Sequence, residues 1–380
     1  MLNFKELQEN YNQICKLCES ASGARFVDYE EHQTKKTVDS IIEDECTKKS
    51  TEVRQRLLQE FKGYGPLENL LKDSEITEIL VNNPDSVWFE KRGKLYQHND
   101  GFLSPSSYQN TLDRIAQQSH QQLTLEKPFV EGHFNKMRVT LISDTLTGNC
   151  SVLSLRRHPE SPWTLDQLNQ HDWCSENDSE LLRDLVNQKK NVLIIGETGS
   201  GKTSVLNALL QLVPPSERVI SIEDSSEIHS PNEISIKLLT RPSNEEHLKE
   251  INQQMLLQRA LRLRPDRLIM GEIRGSEAKD FLMMLATGHQ GCLATLHAKS
   301  PSEALIRLEM LIQMGAPQWG LPAIRRLIFL GLQNIIITKR TESGKRVLNG
   351  VYQLSSLEDS GITLESDERF TRSTISSEML

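Results

Sequence analysis

The chain has 380 residues, enough for two domains, and its 37% hydrophobic content supports a sizeable core. With 10 Phe, 6 Tyr and 4 Trp, that core is built from Leu, Ile and Val rather than from rings. The net charge of −8 (52 acids, 44 bases) excludes a protein that grips long nucleic acid by charge alone, though not a local basic groove. No segment approaches the roughly 18 consecutive apolar residues of a membrane helix. The richest run, Leu327 to Ile337, is broken by Gln333 and Asn334, and the N-terminus has no signal-peptide stretch. The expectation is a soluble, cytoplasmic protein whose membrane role comes through partners.

Residues 1–62 mix charges of both signs with helical patches such as Val53 to Leu58, and read as an exposed helical appendage. Cys15 and Cys18 form one CxxC, but no second pair follows, so two reduced thiols on a helix turn fit better than a four-ligand zinc site. Residues 63–165 read as a mixed α/β domain. Ile79-Leu80-Val81 is a short strand, and Val87–Glu90 and Leu95-Tyr96 flank Lys91-Arg92-Gly93-Lys94 as a hairpin. Arg138–Leu141 and Val152–Leu155 are further strands. Residues 166–180 read as a linker.

Residues 181–353 alternate strands with helices, the pattern of a largely parallel sheet covered on both faces. The strands are Val192–Ile195, Val219–Ile222, Leu268–Met270, Cys292–Leu296 and Ile335–Thr338. Val205, Ala208, Leu209 and Leu212 have helical spacing after the first strand, and Pro214-Pro215 stops that helix. The serine-rich and acidic residues 354–380 read as a flexible tail.

Between the first strand and its helix lies Gly196-Glu197-Thr198-Gly199-Ser200-Gly201-Lys202-Thr203, a full match to G-x-x-x-x-G-K-[ST]. Glycines let consecutive N–H groups turn inward around phosphate oxygens, and the helix start adds positive dipole character there. Lys202 reaches the β- and γ-phosphates, and the Thr203 hydroxyl ligates Mg²⁺. The loop alone therefore predicts nucleotide binding, with Thr203 placed for Mg²⁺. Hydrolysis needs more: a base that orients water and groups that stabilise charge.

Three further stretches supply candidates. Glu223 and Asp224 end the second strand, where open α/β sheets place ligands, and Glu223 is positioned to face the γ-phosphate; a turn-capping pair is the other reading. Glu272 follows the apolar strand Leu268–Met270 in the form of a Walker B acid, able to hold Mg²⁺ through water or to polarise water; a surface acid is the alternative. His297 follows the strand Cys292–Leu296, and a lone histidine there is also consistent with packing or capping. No HExxH, Cys-His ligand set or GxSxG appears.

Taken together, GETGSGKT, VISIEDSSEI, LRLRPDRLIMGEIRGSEA and TGHQGCLATLHAKSP resemble the Walker A, Asp box, Walker B and His box of the type II and type IV secretion ATPase superfamily. The stretch YGPLENLLKDSEITEILVNNPDSVWFEKRGKL is similar to the N-terminal domain of the CpaF branch, which powers Tad-type pili. The resemblance covers about residues 60 to 352. It implies a PAS-like N-terminal domain, a RecA-like P-loop ATPase domain, a hexameric ring, and inner-membrane platform proteins as partners. It assigns Glu223 to water activation, Glu272 to the Walker B role and His297 to the γ-phosphate region. Arg138 and Arg156 lie where family members carry phosphate-sensing arginines. Arg241, Arg262 and Arg274 occupy other arginine-bearing positions, for which structural ion pairs are an equal reading. The tetracysteine motif of general secretion and pilus-extension members is missing, since only Cys292 lies beyond residue 174.

The function so implied is an ATP-hydrolysing hexameric motor for a pilus or secretion machine, attached peripherally to the inner membrane. A RecA-like nucleic-acid translocase or helicase, which DNA-stimulated ATPase activity would reveal, and an ATP-gated assembly scaffold are the alternatives.

Overall fold

The structure is a computed structural model that describes residues 3–23, 37–119, 121–135, 137–157, 161–241, 249–358 and 361–370. The chain divides into two compact units, Met1–His158 and Pro159–Leu380. Among the described residues no helix is long and apolar enough to cross a membrane.

The first unit is built on six antiparallel strands: β1 (Ile76–Asn83), β2 (Ser86–Lys91), β3 (Lys94–Gln97), β4 (Phe129–Phe134), β5 (Met137–Ile142) and β6 (Val152–Arg157). Their spatial order is β3-β2-β1-β6-β5-β4, two three-stranded meanders joined where β1 pairs with β6. The hairpin between β2 and β3 turns at Arg92 and Gly93, both at positive φ (53° and 75°), as a two-residue turn matched to strand twist requires. Alternate residues face one core. Ile79 and Val81 of β1, Val139 and Leu141 of β5, and Leu153 and Leu155 of β6 are buried with Tyr108, Leu112 and Ile115 of the helix Pro105–Gln118. The opposite strand face mixes polar Glu78, Arg138, Thr140, Ser154 and Arg156 with half-buried Leu80, Ile142 and Val152.

The N-terminal helices are not an exposed appendage. Phe4–Gly23, Val38–Thr47 and Thr51–Lys62 bury Leu7, Tyr11, Ile14, Ile42, Cys46, Val53 and Leu57 in a common cluster that includes Leu103 of the sheet domain. A buried polar network ties the third helix to that domain. Arg56 pairs with Glu60 at 2.6 Å and with Asp100 at 2.7 Å, and donates to the Gly101 carbonyl at 2.7 Å. Glu60 in turn accepts from the Leu103 N–H at 2.8 Å and from the Ser107 hydroxyl. The apolar spacing of these helices is diluted by surface charge, which is why composition alone made them look exposed.

The second unit carries eight strands: β7 (Val192–Gly196), β8 (Val219–Glu223), β9 (Ile236–Leu239), β10 (Arg267–Met270), β11 (Leu293–His297), β12 (Asn334–Arg340), β13 (Arg346–Glu358) and β14 (Gly361–Ser366). The order is β14-β13-β12-β7-β11-β10-β8-β9; the six from β12 to β9 are parallel, while β13 and β14 add antiparallel. All residues of β7, β8 and β10 are buried. The reason is that both faces are covered. Leu193, Ile195, Ile220 and Ile222 pack on one side with the helices Glu277–Ala286, Pro301–Gly315 and Leu321–Gly331. Val192, Ile194 and Val219 pack on the other with Glu176–Asn187 and Lys202–Leu210. This is the three-layer α/β arrangement expected of residues 181–353, in a chain whose class is mixed α/β.

Two stretches differ from expectation. Residues 166–180 are not an open linker, because Leu165, Leu168 and Trp173 anchor the helix Leu165–Gln170 and the turn after it in the second core. Residues 354–358 and 361–370 are not a flexible tail: Leu354 is buried, Ile362 and Leu364 pack on the core, and β14 pairs with β13 from Tyr352↔Ser366 to Glu358↔Gly361. Residues 371–380 lie outside the described residues.

Candidate functional site

The parallel strands β7, β11, β10 and β8 lie side by side, so their carboxyl ends bring together the four motifs of the sequence. The phosphate loop leaves β7 at Gly196 and ends at the N-terminus of the helix Lys202–Leu210. Gly196 has φ 159°, and a Cβ there would stand 2.3 Å from the Thr338 carbonyl oxygen and 2.4 Å from Ser200 Oγ. Only glycine fits. Ser200 is fully buried, and its Oγ has no hydrogen-bond partner among the described residues. Glu197 and Thr198 are exposed, with Glu197 3.5 Å from Lys299.

Lys202 is 7% exposed and folded over its own loop, donating to the carbonyls of Gly196 (3.1 Å) and Glu197 (2.9 Å). Its Nζ also lies 3.3 Å from His297 Nδ1 at the end of β11. An ammonium has only donors, so Nδ1 accepts and the ring proton sits on Nε2. Nε2 lies 3.1 Å from Glu272 Oε1. Burial, then the Lys202 charge, holds the His297 pKa below its ordinary value, in keeping with a neutral ring. The other oxygen of Glu272 accepts from Arg274 at 2.5 Å, and Arg274 is 3.5 Å from Asp224. A continuous polar chain, Lys202–His297–Glu272–Arg274–Asp224, therefore joins all four motifs.

Glu223 sits beside this chain rather than in it. It is 3% exposed and packs against Gly271, the residue before Glu272. Its Oε2 accepts from the N–H groups of Glu227 and Ile228, each at 2.7 Å, and Lys237 lies 3.9 Å from Oε1. Burial outweighs those contacts and pushes its pKa up to about 7. A carboxyl poised there is matched to taking a proton from water near neutral pH. Glu272 instead has both oxygens engaged, one with Arg274 and one with His297.

Mg²⁺ prefers oxygen donors and keeps several waters and phosphate oxygens in its shell, so it needs few protein ligands. The Thr203 hydroxyl makes no hydrogen bond to the described residues, and Glu272 supplies a carboxylate; this donor set fits Mg²⁺. When bound, the ion would bridge and neutralise phosphate oxygens.

Arg138 and Arg156 are brought together, directly opposite each other on β5 and β6. Arg156 faces Glu78 on its other side at 3.9 Å. Like charges in direct cross-strand opposition are destabilising, so this pair suits an anion better than it suits the sheet. Arg274 is accounted for by its acids. Arg241 donates to the Lys249 carbonyl at 3.2 Å, and Arg262 is exposed.

The motifs did not reveal the hairpin of β12 and β13. Arg340 and Arg346 are cross-strand partners, and Arg346 Nε donates to the Gly199 carbonyl of the phosphate loop at 3.0 Å. The Thr338 hydroxyl, held by Trp173 Nε1 at 3.1 Å, donates to the Ser200 carbonyl at 2.9 Å. The Ser343-Gly344 turn signal between two strand-like runs was the available clue.

Comparison with known proteins agrees with this geometry. Residues 60–338 match the model of the family described as Type II/IV secretion system protein. A Mycobacterium tuberculosis protein named for conjugal transfer is 32% identical over 313 residues, covering 80% of this chain and 88% of that one. The type IV secretion system protein PtlH of Bordetella pertussis is 28% identical over 296 residues, covering 71% and 87%. Among solved structures, the ATPase DotB of Legionella pneumophila has a TM-score of 0.56 at 23% identity, covering 74% of this chain and 77% of that one. The pilus retraction motor PilT with bound ADP has a TM-score of 0.56 at 20% identity, covering 73% and 78%. The chain belongs to the Type II/IV secretion system protein family.

Proposed function

We propose that this protein is a Mg²⁺-dependent, ring-forming motor, a hexamer of two-domain subunits, whose ATP hydrolysis drives pilus assembly or retraction, or secretion across a cell envelope. The observation that carries the reading is the Lys202–His297–Glu272–Arg274–Asp224 chain at the carboxyl ends of the parallel strands. A triphosphate on the loop gives Lys202 stronger acceptors than its own carbonyls. Its departure would free His297 Nδ1, so the chain connects occupancy of the loop to the Walker B carboxylate. Glu223 is the proposed water-activating base, Glu272 the Mg²⁺-side carboxylate, and His297 the group that reports on the γ-phosphate. Arg138 and Arg156 are the proposed phosphate-sensing pair of the N-terminal unit.

Within the family we place the chain in the CpaF branch of Tad-type pili. The support is its N-terminal stretch from Tyr64 to Leu95 and the missing tetracysteine motif. Such a motor works at the cytoplasmic face of the inner membrane, held there by platform proteins. Steady-state phosphate release, measured with Mg²⁺ and with excess chelator alongside sedimentation of the nucleotide-bound protein, tests the proposal. Chelator-sensitive release from a six-subunit species is expected; a monomer that binds ATP without releasing phosphate would overturn it.

A further inference from the structure

The second half of the phosphate loop is held from outside by groups that none of the four motifs contains. In the first half, the carbonyls of Gly196 and Glu197 accept from the loop's own Lys202. In the second half, the Gly199 carbonyl accepts from Arg346 Nε at 3.0 Å, and the Ser200 carbonyl accepts from the Thr338 hydroxyl at 2.9 Å. That hydroxyl in turn accepts from Trp173 Nε1 at 3.1 Å. Trp173, Thr338 and Ser200 are 4%, 1% and 0% exposed, so the relay Trp173–Thr338–Ser200 runs inside the second unit, away from water.

Local structure aims both donors. Thr338 is the last buried residue of β12, one position past the Ile337↔Ile195 pair, and its carbonyl stands against Gly196. There the pairing of β12 with β13 slips by one residue, from Ile337↔Gly350 to Thr338↔Leu348, and the Leu348 N–H donates to the Trp173 carbonyl at 2.6 Å. Irregularities of this kind re-aim side chains. Valine has the shape of threonine without the hydroxyl, and a buried strand carries that hydroxyl only where it is bonded.

The relay also has something to restrain. Ser200 lies between Gly199 and Gly201, which have φ of 74° and 95°. Glycine reaches conformations that other residues avoid, so the peptide units here turn over at little cost unless they are held. A peptide unit is planar and trans, and its C=O and N–H point in opposite directions. A Ser200 carbonyl fixed toward β12 therefore turns the Gly201 N–H the other way, and consecutive inward N–H groups are what make an anion cradle.

We infer that Thr338 and Trp173 are positioning residues for the triphosphate: their relay fixes the Ser200–Gly201 peptide unit so that its N–H is aimed at phosphate oxygens in advance of binding. The inference rests on the reading of residues 196–203 as a triphosphate site. A donor set in advance costs no reorganisation when the anion arrives. Because that N–H meets phosphate in the ground state and the transition state alike, the relay acts on affinity rather than on turnover.

The test is binding of inorganic tripolyphosphate and of ATP to the full chain by calorimetry, with steady-state phosphate release alongside. Thr338→Val should weaken both ligands about tenfold, the scale of one hydrogen bond to a charged group. KM for ATP should rise in step while kcat stays within about twofold. Thr338→Ser, which keeps the hydroxyl, should bring affinity back to within about threefold of the wild type. Thr338→Val also strands the Trp173 N–H, so its melting temperature falls in any case, and affinity is the deciding readout. Trp173→Phe leaves the Thr338 hydroxyl able to donate but unaligned. It should weaken both ligands about threefold, and it serves if Thr338→Val misfolds. Added to Thr338→Val it should cost no further affinity, since both act through one hydroxyl. Wild-type tripolyphosphate affinity in Thr338→Val, or in Trp173→Phe where only that variant folds, would overturn the relay, as would a Thr338→Ser as weak as Thr338→Val. Failure of the phosphate site looks different: tripolyphosphate would not bind the wild type, or would bind Lys202→Ala equally well.

Discussion

The two sheets solve the problem of placing charge in opposite ways. In the eight-stranded sheet, β7, β8 and β10 are apolar throughout because helices cover both faces, and polar chemistry is pushed to the strand ends. Each functional group there belongs to a short contiguous segment. In the six-stranded sheet, charged side chains belong to the strands themselves. Arg138 and Arg156 are 18 positions apart in the chain and meet only because β5 and β6 pair in one register. The first kind of site tolerates sheet adjustments as long as the loops hold; the second is lost on a single-residue slip, which sends every side chain to the other face.

That contrast can be broken most severely at the loop. Lys202→Ala should abolish measurable phosphate release, a loss of at least about 10³-fold, with an unchanged circular-dichroism spectrum; retained turnover would move catalysis to another site. In the N-terminal unit, Arg138→Ala and Arg156→Ala should each reduce kcat on the order of 10³-fold with little change in ATP affinity. The double variant should be no worse than either single one, because a pair made by register acts as a unit. Additive losses would show two independent arginines. Glu223→Gln should bind ATP and slow turnover by about 10²–10⁴-fold, while the wild-type rate climbs as pH rises through about 7, where Glu223 ionises. A wild-type rate in Glu223→Gln would transfer the base role to Glu272.

The smallest effect is on stability. Burial raises the Glu223 pKa from 4.5 to about 7. Its contribution is therefore fully present below pH 4.5 and is lost as pH rises through about 7. Glu223→Gln, which cannot ionise, should gain on the wild type by about 3 kcal/mol between pH 5 and pH 8 in urea unfolding. A constant difference across that range would mean the carboxyl is ionised throughout.

The same contrast explains what could be read in advance. The parallel strands other than β9, and the phosphate loop, were legible because apolar runs, a glycine-rich turn and helical repeats follow one another; β9 (Ile236–Leu239) is short and only half-buried, and was not read. The strand β13 was not: buried Leu348, Val351 and Leu354 are spaced among exposed Arg346, Asn349 and Gln353, the mixed pattern of a strand near a sheet edge. The strand β14 was hidden in a serine-rich, acidic stretch whose composition argues for disorder until β13 offers it a partner. Of the candidate site residues, Lys202, Glu272 and His297 come from separate motifs and lie in one cluster. The turn of Glu223 toward the Glu227 and Ile228 amides, and the approach of Arg346 to Gly199, depend on tertiary contacts that no local spacing encodes.

The Arg56–Glu60 pair has a practical side for anyone who trims this protein. The family match begins at residue 60, which invites an expression boundary there. Such a cut would delete the guanidinium and strand Glu60, 2% exposed, against Leu103 and Ser107 with its counter-ion gone. Stripping one member from an interior ion pair costs about 3–5 kcal/mol, a large share of what holds a small domain together. The minimal soluble fragment of the N-terminal half should therefore start upstream of Thr51, not at the edge of the recognisable homology.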